Sequence, residues 1–214
     1  MTKSYLQAFD QEISIQKGTD ALIGVDEAGR GPLAGPVVAC ACLIPSGIVS
    51  YFDDVNDSKK LSAKKRQEIL QRFDRLGVLY GIGFASAEEI DRLNILQATF
   101  LAMRRACAKF LSIPNAFALI DGPYPAKGLS IKQMPVVDGD AKSLSIAAAS
   151  IIAKETRDNY MSILDTLYPG YGFGGHKGYG TAQHLAALRQ KGPCPQHRRS
   201  FSPVQKLCQP VLLP

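Results

Sequence analysis

The chain has 214 residues of ordinary globular composition, 46% hydrophobic and 21% charged. That excludes disordered, collagenous and membrane classes and suits one generous domain. Lys and Arg exceed Asp and Glu to give a formal charge of +6, which suits an anionic partner, nucleic acid being the common one.

No apolar run approaches the roughly 20 residues of a membrane helix. The opening "MTKSYLQAFDQE" carries acids where a secretory leader needs an apolar stretch. The five cysteines are odd in number and form no C-x-x-C pair. A reducing cytoplasm is expected, with Cys40 and Cys42 packing in the core and no structural zinc.

In chain order, residues 20–27 read as a strand bounded by Gly29, and 36–44, "PVVACACLI", as a strand buried on both faces. Residues 62–76 read as a helix. Ser62 caps it, Ile69, Leu70, Phe73 and Leu76 make its apolar stripe, and Gly77 ends it. A third strand is predicted at 78–86. Ser86 with Glu89 makes a capping box that opens a short helix, and a longer helix follows near 95–111.

"AFALIDG" at 116–122 is a short apolar strand ending in an acid, and "MPVVDGD" at 134–140 repeats the pattern. A long helix over about 141–166 starts with small residues that permit close approach to a sheet. The tail holds a Gly-rich loop, "PGYGFGGHKGYGT", a helix near 181–191 and the basic stretch "QHRRSF". This order predicts an α/β fold with a mixed sheet and helices on both faces.

Three strands end in acids: Asp26 with Glu27, Asp121, and the Asp138/Asp140 pair. In open α/β sheets function gathers beyond the carboxyl ends of strands. Adjacent parallel strands would bring these carboxylates together, and a cluster of ionised acids needs a compensating cation. Hard divalent ions favour such oxygen ligands. Two ions ~3.5–4 Å apart can activate a water and stabilise a leaving oxygen in phosphodiester cleavage. Taken singly, each acid also fits a turn or cap, Asp140 as cap of the 141–166 helix and Asp121-Gly122 as a turn.

Alternation sends Asp26 and Glu27 to opposite faces, so both serve one site only if the strand is ending there. Gly29, Gly31 and Ala34 also fit the dinucleotide fingerprint. Two acids before the loop would repel a pyrophosphate, and a strand follows where the fingerprint opens a helix.

Basic groups suited to nucleic acid are Lys59 and Lys60, then His176, Lys177 and Tyr179 in the Gly-rich loop, and His197, Arg198 and Arg199. Lys64, Lys65 and Arg66 read as a solvated helix face. The three histidines have no metal-ligand spacing.

The stretches "GVDEAGRGPLAGPVV", "NDSKKLS", "EIDRLNILQAT", "DG" at 121–122, "GDAKSLSIAAASIIAKETRD", "HKGYGTAQH" and "HRRSF" together resemble the ribonuclease HII family, in family order from about residue 22 to 203. Gly29-Arg30-Gly31 and the short N-terminal stretch resemble HII rather than the related HIII family. The resemblance implies a ribonuclease H-like fold, a five-stranded mixed sheet flanked by helices. It implies one domain over 1–214, with about 168–214 as a C-terminal helical, substrate-binding extension.

It implies hydrolysis of the RNA strand of RNA–DNA hybrids and incision 5′ of single ribonucleotides in duplex DNA, leaving 3′-hydroxyl and 5′-phosphate ends. By position, Asp26, Glu27, Asp121 and Asp140 would bind Mg²⁺ or Mn²⁺. Asp138 stands where the family usually has lysine, and Lys142 is a candidate to compensate. Asp140 would cap its helix and bind metal at once. Gly29, Arg30 and Gly31 would meet the ribonucleotide at the junction, where glycines let backbone approach a 2′-hydroxyl. Tyr179 would stack on the neighbouring deoxyribose, and Lys59, Lys177 and Arg198 would contact substrate. A cytoplasmic monomer with no membrane contact is expected. The rivals are a nucleic-acid-binding module without activity and an NADP-type dehydrogenase.

Overall fold

Strand β1, Leu22–Ala28, is the centre of a five-stranded sheet. The computed structural model describes residues 5–55, 58 and 61–208. Strands β2 (Val37–Leu43), β3 (Leu79–Ala85), β4 (Phe117–Asp121) and β5 (Lys132–Val136) complete the sheet in the order β3-β2-β1-β4-β5. β1–β2 and β2–β3 are antiparallel, and β1–β4 and β4–β5 are parallel. The acids that end β1 and β4, and the loop after β5, therefore leave the sheet at the same edge.

Helices cover both faces. Helices α3 (Ala87–Leu93) and α4 (Ile95–Cys107) lie on one, where Ile23, Val25, Val37, Ala39 and Ala41 pack with Ala98, Ala102, Met103 and Ala106. Helices α2 (Ala63–Leu76) and α5 (Leu144–Leu167) lie on the other, where Cys40, Cys42, Ile69 and Phe73 pack with Ala147, Ala148, Ile151 and Ile152. A Cβ on Gly24 would overlap the Ser145–Ile146 backbone. The glycine and the small residues of "SIAAASIIA" thus let α5 lie almost directly on β1.

Local signals landed closely. Ser62 accepts from the Lys65 N–H, Gly77 ends α2 in the left-handed region, and Ser86 with Glu89 forms a complete capping box. Helix α1, Tyr5–Lys17, was not predicted, although Leu6, Phe9 and Ile13 carry helical spacing.

α5 begins at Leu144, after a 3₁₀ turn at Gly139–Ala141. Asp140 does not cap it. Ser143 accepts from the Ile146 N–H, and Asp10 of α1 accepts from the Ser145 N–H at 2.8 Å. Burial pushes Asp10 up to about 6.

The tail adds α6 (Phe173–His176), α7 (Ala182–Lys191) and α8 (Ser202–Cys208). It packs on α5 and on the segment after β1 through Ala34, Met161, Leu164, Tyr171, Phe173 and Cys194. A bridge joins Ala34 to His197.

Candidate active site

Pairing explains how β1 can deliver two adjacent acids to one edge. Against β2 the strand continues to Ala28, but its last parallel partner on β4 is Val25 opposite Ile120. Asp26 and Glu27 thus lie past the β4 ladder while still held by β2. The strand has not ended, as alternation requires; only its pairing with β4 has.

Asp26 is buried beneath α5, with Oδ1 accepting the Glu27 N–H at 2.7 Å. Its pKa is raised well above the usual carboxylate range. Burial is the largest cause, then the charges of Glu27 and Asp121, and the Ser150 hydroxyl of α5 pulls it partly back. Ser150 in turn shares a 2.9 Å hydrogen bond with Ser58.

Glu27 is raised by burial and lowered by Arg30, whose Nη1 lies 3.4 Å from Glu27 Oε1; the Asp121 charge raises it again. Asp121 Oδ1 accepts the Gly139 N–H at 2.7 Å and the Asp140 N–H at 3.4 Å. The turn bearing Asp140 is therefore wrapped on Asp121. Asp140 is half-buried, whereas Asp138 is exposed with φ 53°. Lys142 does not compensate at the acids, because its ammonium donates to the Val137 carbonyl at 2.6 Å.

Among the described residues, no three His, Cys, Asp or Glu side chains close around a cation position in this arrangement. The donor chemistry nevertheless fits a hard divalent ion. The groups are all carboxylate oxygens, and their mutual repulsion and the desolvation of Asp26 are what a cation relieves.

Beside the acids, residues 29–36 form a loop held from within by two arginines. Arg198 is fully buried and donates to four carbonyls, those of Gly29 (2.6 Å), Arg30 (2.8 Å), Pro32 (2.7 Å) and Gly35 (3.0 Å). Arg157 of α5, also buried, donates to Ala34, Pro36 and Lys177 carbonyls. Gly29 has φ 94°, and a Cβ there would overlap the Arg157 guanidinium.

Arg198 is thus no direct contact for a phosphate. It faces inward and fixes the loop, a role the basic string "HRRSF" does not signal. Lys177 is likewise engaged, its ammonium donating to the Asp158 carbonyl and the Ser162 hydroxyl. Arg30 is half exposed beside Glu27. Tyr179 is 48% exposed and borders Gly31, whose Cβ would lie 3.7 Å from its Cε1. Leu33 N–H donates to Gly178 O at 2.8 Å, tying the two loops together. Lys59 lies outside the described residues.

The expected solvated face at 64–66 holds only in part. Arg66 is half-buried, pairs with the buried Glu155 of α5 at 2.5 Å and also donates to Ser58 and Leu61 carbonyls. It thereby holds the Ser58 carbonyl, whose residue's hydroxyl meets Ser150. A cavity of about 730 Å³ opens elsewhere, near the start of β1 and α5, lined by Gln7, Asp10, Leu22 and Ser145. It does not include the strand-end acids.

Comparison with known proteins points one way. The family model for ribonuclease HII matches residues 23–204. The ribonuclease HII of Syntrophotalea carbinolica is 50% identical over 198 residues, covering 92% of this chain and 92% of that protein. The crystal structure of ribonuclease H2 from Pyrococcus horikoshii OT3 aligns with TM-score 0.71 and 26% identity, over 87% of this chain and 96% of that one. A structure of Bst-RNase HIII in complex with Mn²⁺ shares the fold, with TM-score 0.70 and 19% identity, over 89% of this chain and 71% of that one.

Proposed function

Because the chain belongs to the ribonuclease HII family, we propose that this metal-dependent ribonuclease cuts the RNA strand of RNA–DNA hybrids and also incises 5′ of single ribonucleotides in duplex DNA. The ends left are 3′-hydroxyl and 5′-phosphate. One observation carries the finer reading: the strand-end acids sit directly beside a loop whose conformation is set by buried arginines and whose Gly31 borders an exposed tyrosine ring.

In this reading Asp26, Glu27, Asp121 and Asp140 hold Mg²⁺ or Mn²⁺, and two such ions supply an activated water and stabilisation of the leaving oxygen. The protein's own contribution is placement. With Gly29, Arg30, Pro32 and Gly35 carbonyls turned onto Arg198, the Gly29–Gly31 backbone is preorganised for a 2′-hydroxyl. Arg30 steadies Glu27 and adds positive charge where the phosphate enters. Tyr179 stacks on the deoxyribose next to the ribonucleotide and favours DNA on that side of the cut. Residues 168–214 act as the substrate-binding extension, and the protein works as a cytoplasmic monomer.

The test is incubation with duplex DNA carrying one ribonucleotide, with and without EDTA. A nick 5′ of the ribonucleotide that EDTA suppresses is expected. Cleavage of long hybrids with no nick at a lone ribonucleotide would refute the junction reading. Intact binding without any cleavage of either substrate would favour the inactive binding module.

A further inference from the structure

The tail lines up three imidazoles, His176 against His184 and His184 against His197, the last two buried, although their spacing in sequence predicts no common site. The Cys194 N–H donates to His197 Nδ1 at 3.0 Å. His197 must then carry its proton on Nε2, which lies 3.1 Å from His184 Nε2. That nitrogen must accept, so the His184 proton sits on Nδ1, 2.9 Å from the Tyr179 carbonyl. His176 is fixed in the same way. The Gly178 N–H donates to its Nδ1 at 3.2 Å, leaving Nε2–H to donate to the Tyr171 carbonyl at 2.8 Å. Backbone groups therefore dictate all three tautomers, and each ring nitrogen is satisfied only when the ring is neutral.

The surroundings favour that neutral state. His184 and His197 are fully buried, and the His176 and His184 rings stack at 4.4 Å. Phe173 lies against all three rings and Tyr171 against His197. Burial, then the neighbouring histidine, pulls His197 down to about 4.

We propose that His184 and His197 are positioning residues for substrate selection, a relay of neutral imidazoles that runs from the Cys194 amide to the Tyr179 carbonyl and holds the Tyr179 ring beside Gly31. The proposal rests on the reading of Tyr179 as the junction contact. It assigns no chemistry to the histidines, which lie behind the tyrosine and act through it.

Long-range proton–nitrogen NMR on the full-length, metal-free protein tests the wiring without reference to activity. His184 is expected as the Nδ1–H tautomer and His197 and His176 as Nε2–H, with His197 neutral at pH 6. The opposite tautomer at His184, or a charged His197 at that pH, overturns the relay.

Two variants then test its purpose. His184→Asn keeps a donor at the Nδ1 position, whereas His184→Gln keeps an acceptor near Nε2 and loses the Tyr179 bond. The readout is the ratio of single-ribonucleotide incision to uniform hybrid cleavage. That ratio is expected to fall about fivefold in His184→Gln, the effect of one hydrogen bond, and to fall less in His184→Asn, which keeps the Tyr179 bond but loses the His197 one. Equal ratios in the two variants would overturn the relay alone, provided Tyr179→Ala does shift the ratio. No shift in Tyr179→Ala would instead overturn the reading of Tyr179 on which the proposal rests.

Discussion

Replacing Arg198 by Met keeps much of the side-chain volume and removes the donors. Four carbonyls lose their partner. Those of Gly29 and Arg30 belong to part-buried hydrogen bonds and can recruit water, whereas those of Pro32 and Gly35 belong to buried ones and cannot. Two buried carbonyls left orphaned at about 1–3 kcal/mol each give roughly 2–6 kcal/mol. Against this stands relief of the guanidinium's own burial, which pulls Arg198 down to about 9. The net loss expected is in the lower half of that range, about 2–4 kcal/mol.

For a domain of this size that is a fall in Tm of about 5–15 °C. Lys at 198 offers a compact ammonium in place of a planar fork and cannot span all four acceptors, so Arg198→Lys should lie between Met and wild type. The assays are thermal and urea unfolding, with hybrid and single-ribonucleotide cleavage measured below the variant's Tm. Expected is a larger loss of single-ribonucleotide incision than of hybrid cleavage, because the distorted element is the Gly29–Gly31 loop. A loss under about 1 kcal/mol in Arg198→Met with normal incision would refute the inward role and return Arg198 to the substrate surface.

Asp26→Asn should abolish cleavage yet raise the Tm of metal-free protein. The sign follows from its folded pKa lying above the unfolded one: ionisation at neutral pH costs stability, and removing the charge recovers it. A lower Tm for the Asn variant would show that burial and the neighbouring acids do not penalise the Asp26 charge as argued. Arg66→Ala leaves Glu155 buried and unpaired and should cost about 3–5 kcal/mol, with partial recovery in the Arg66→Ala, Glu155→Gln double variant. Denaturant titration giving a cost near zero would restore the solvated-face reading. Gly29→Ala forces a side chain onto φ 94° and against Arg157, so at least about 1–3 kcal/mol of destabilisation is expected by the same measurement. His197 has a folded pKa below its unfolded value, so its contribution to stability is full above about pH 6.5 and is lost as pH falls toward about 4. Unfolding of wild type and His197→Gln across that window should show a smaller acid-side slope in the variant, and equal slopes would refute the assignment.

What was legible in the sequence is what depends on neighbours a few residues away. The Ser62 cap, the Gly77 stop and the Ser86–Glu89 box are contacts across three or four positions, and they formed as read. Apolar runs ending in acids marked β1 and β4, and the parallel placement of β1, β4 and β5 brought those ends to one edge. Tertiary structure alone decided what holds the site. Arg198 meets Gly29 across 169 residues, Arg157 meets Pro36 across 121, and Asp10, not Asp140, caps the Ser145 amide across 135. No local pattern distinguishes an arginine that will face water from one whose charge is enclosed by carbonyls, nor three dispersed histidines from a hydrogen-bonded stack. Periodicity and capping are properties of a segment. The partner of a buried polar group is a property of the packed chain, settled only when desolvation forces each donor onto whichever acceptor the fold has brought within reach.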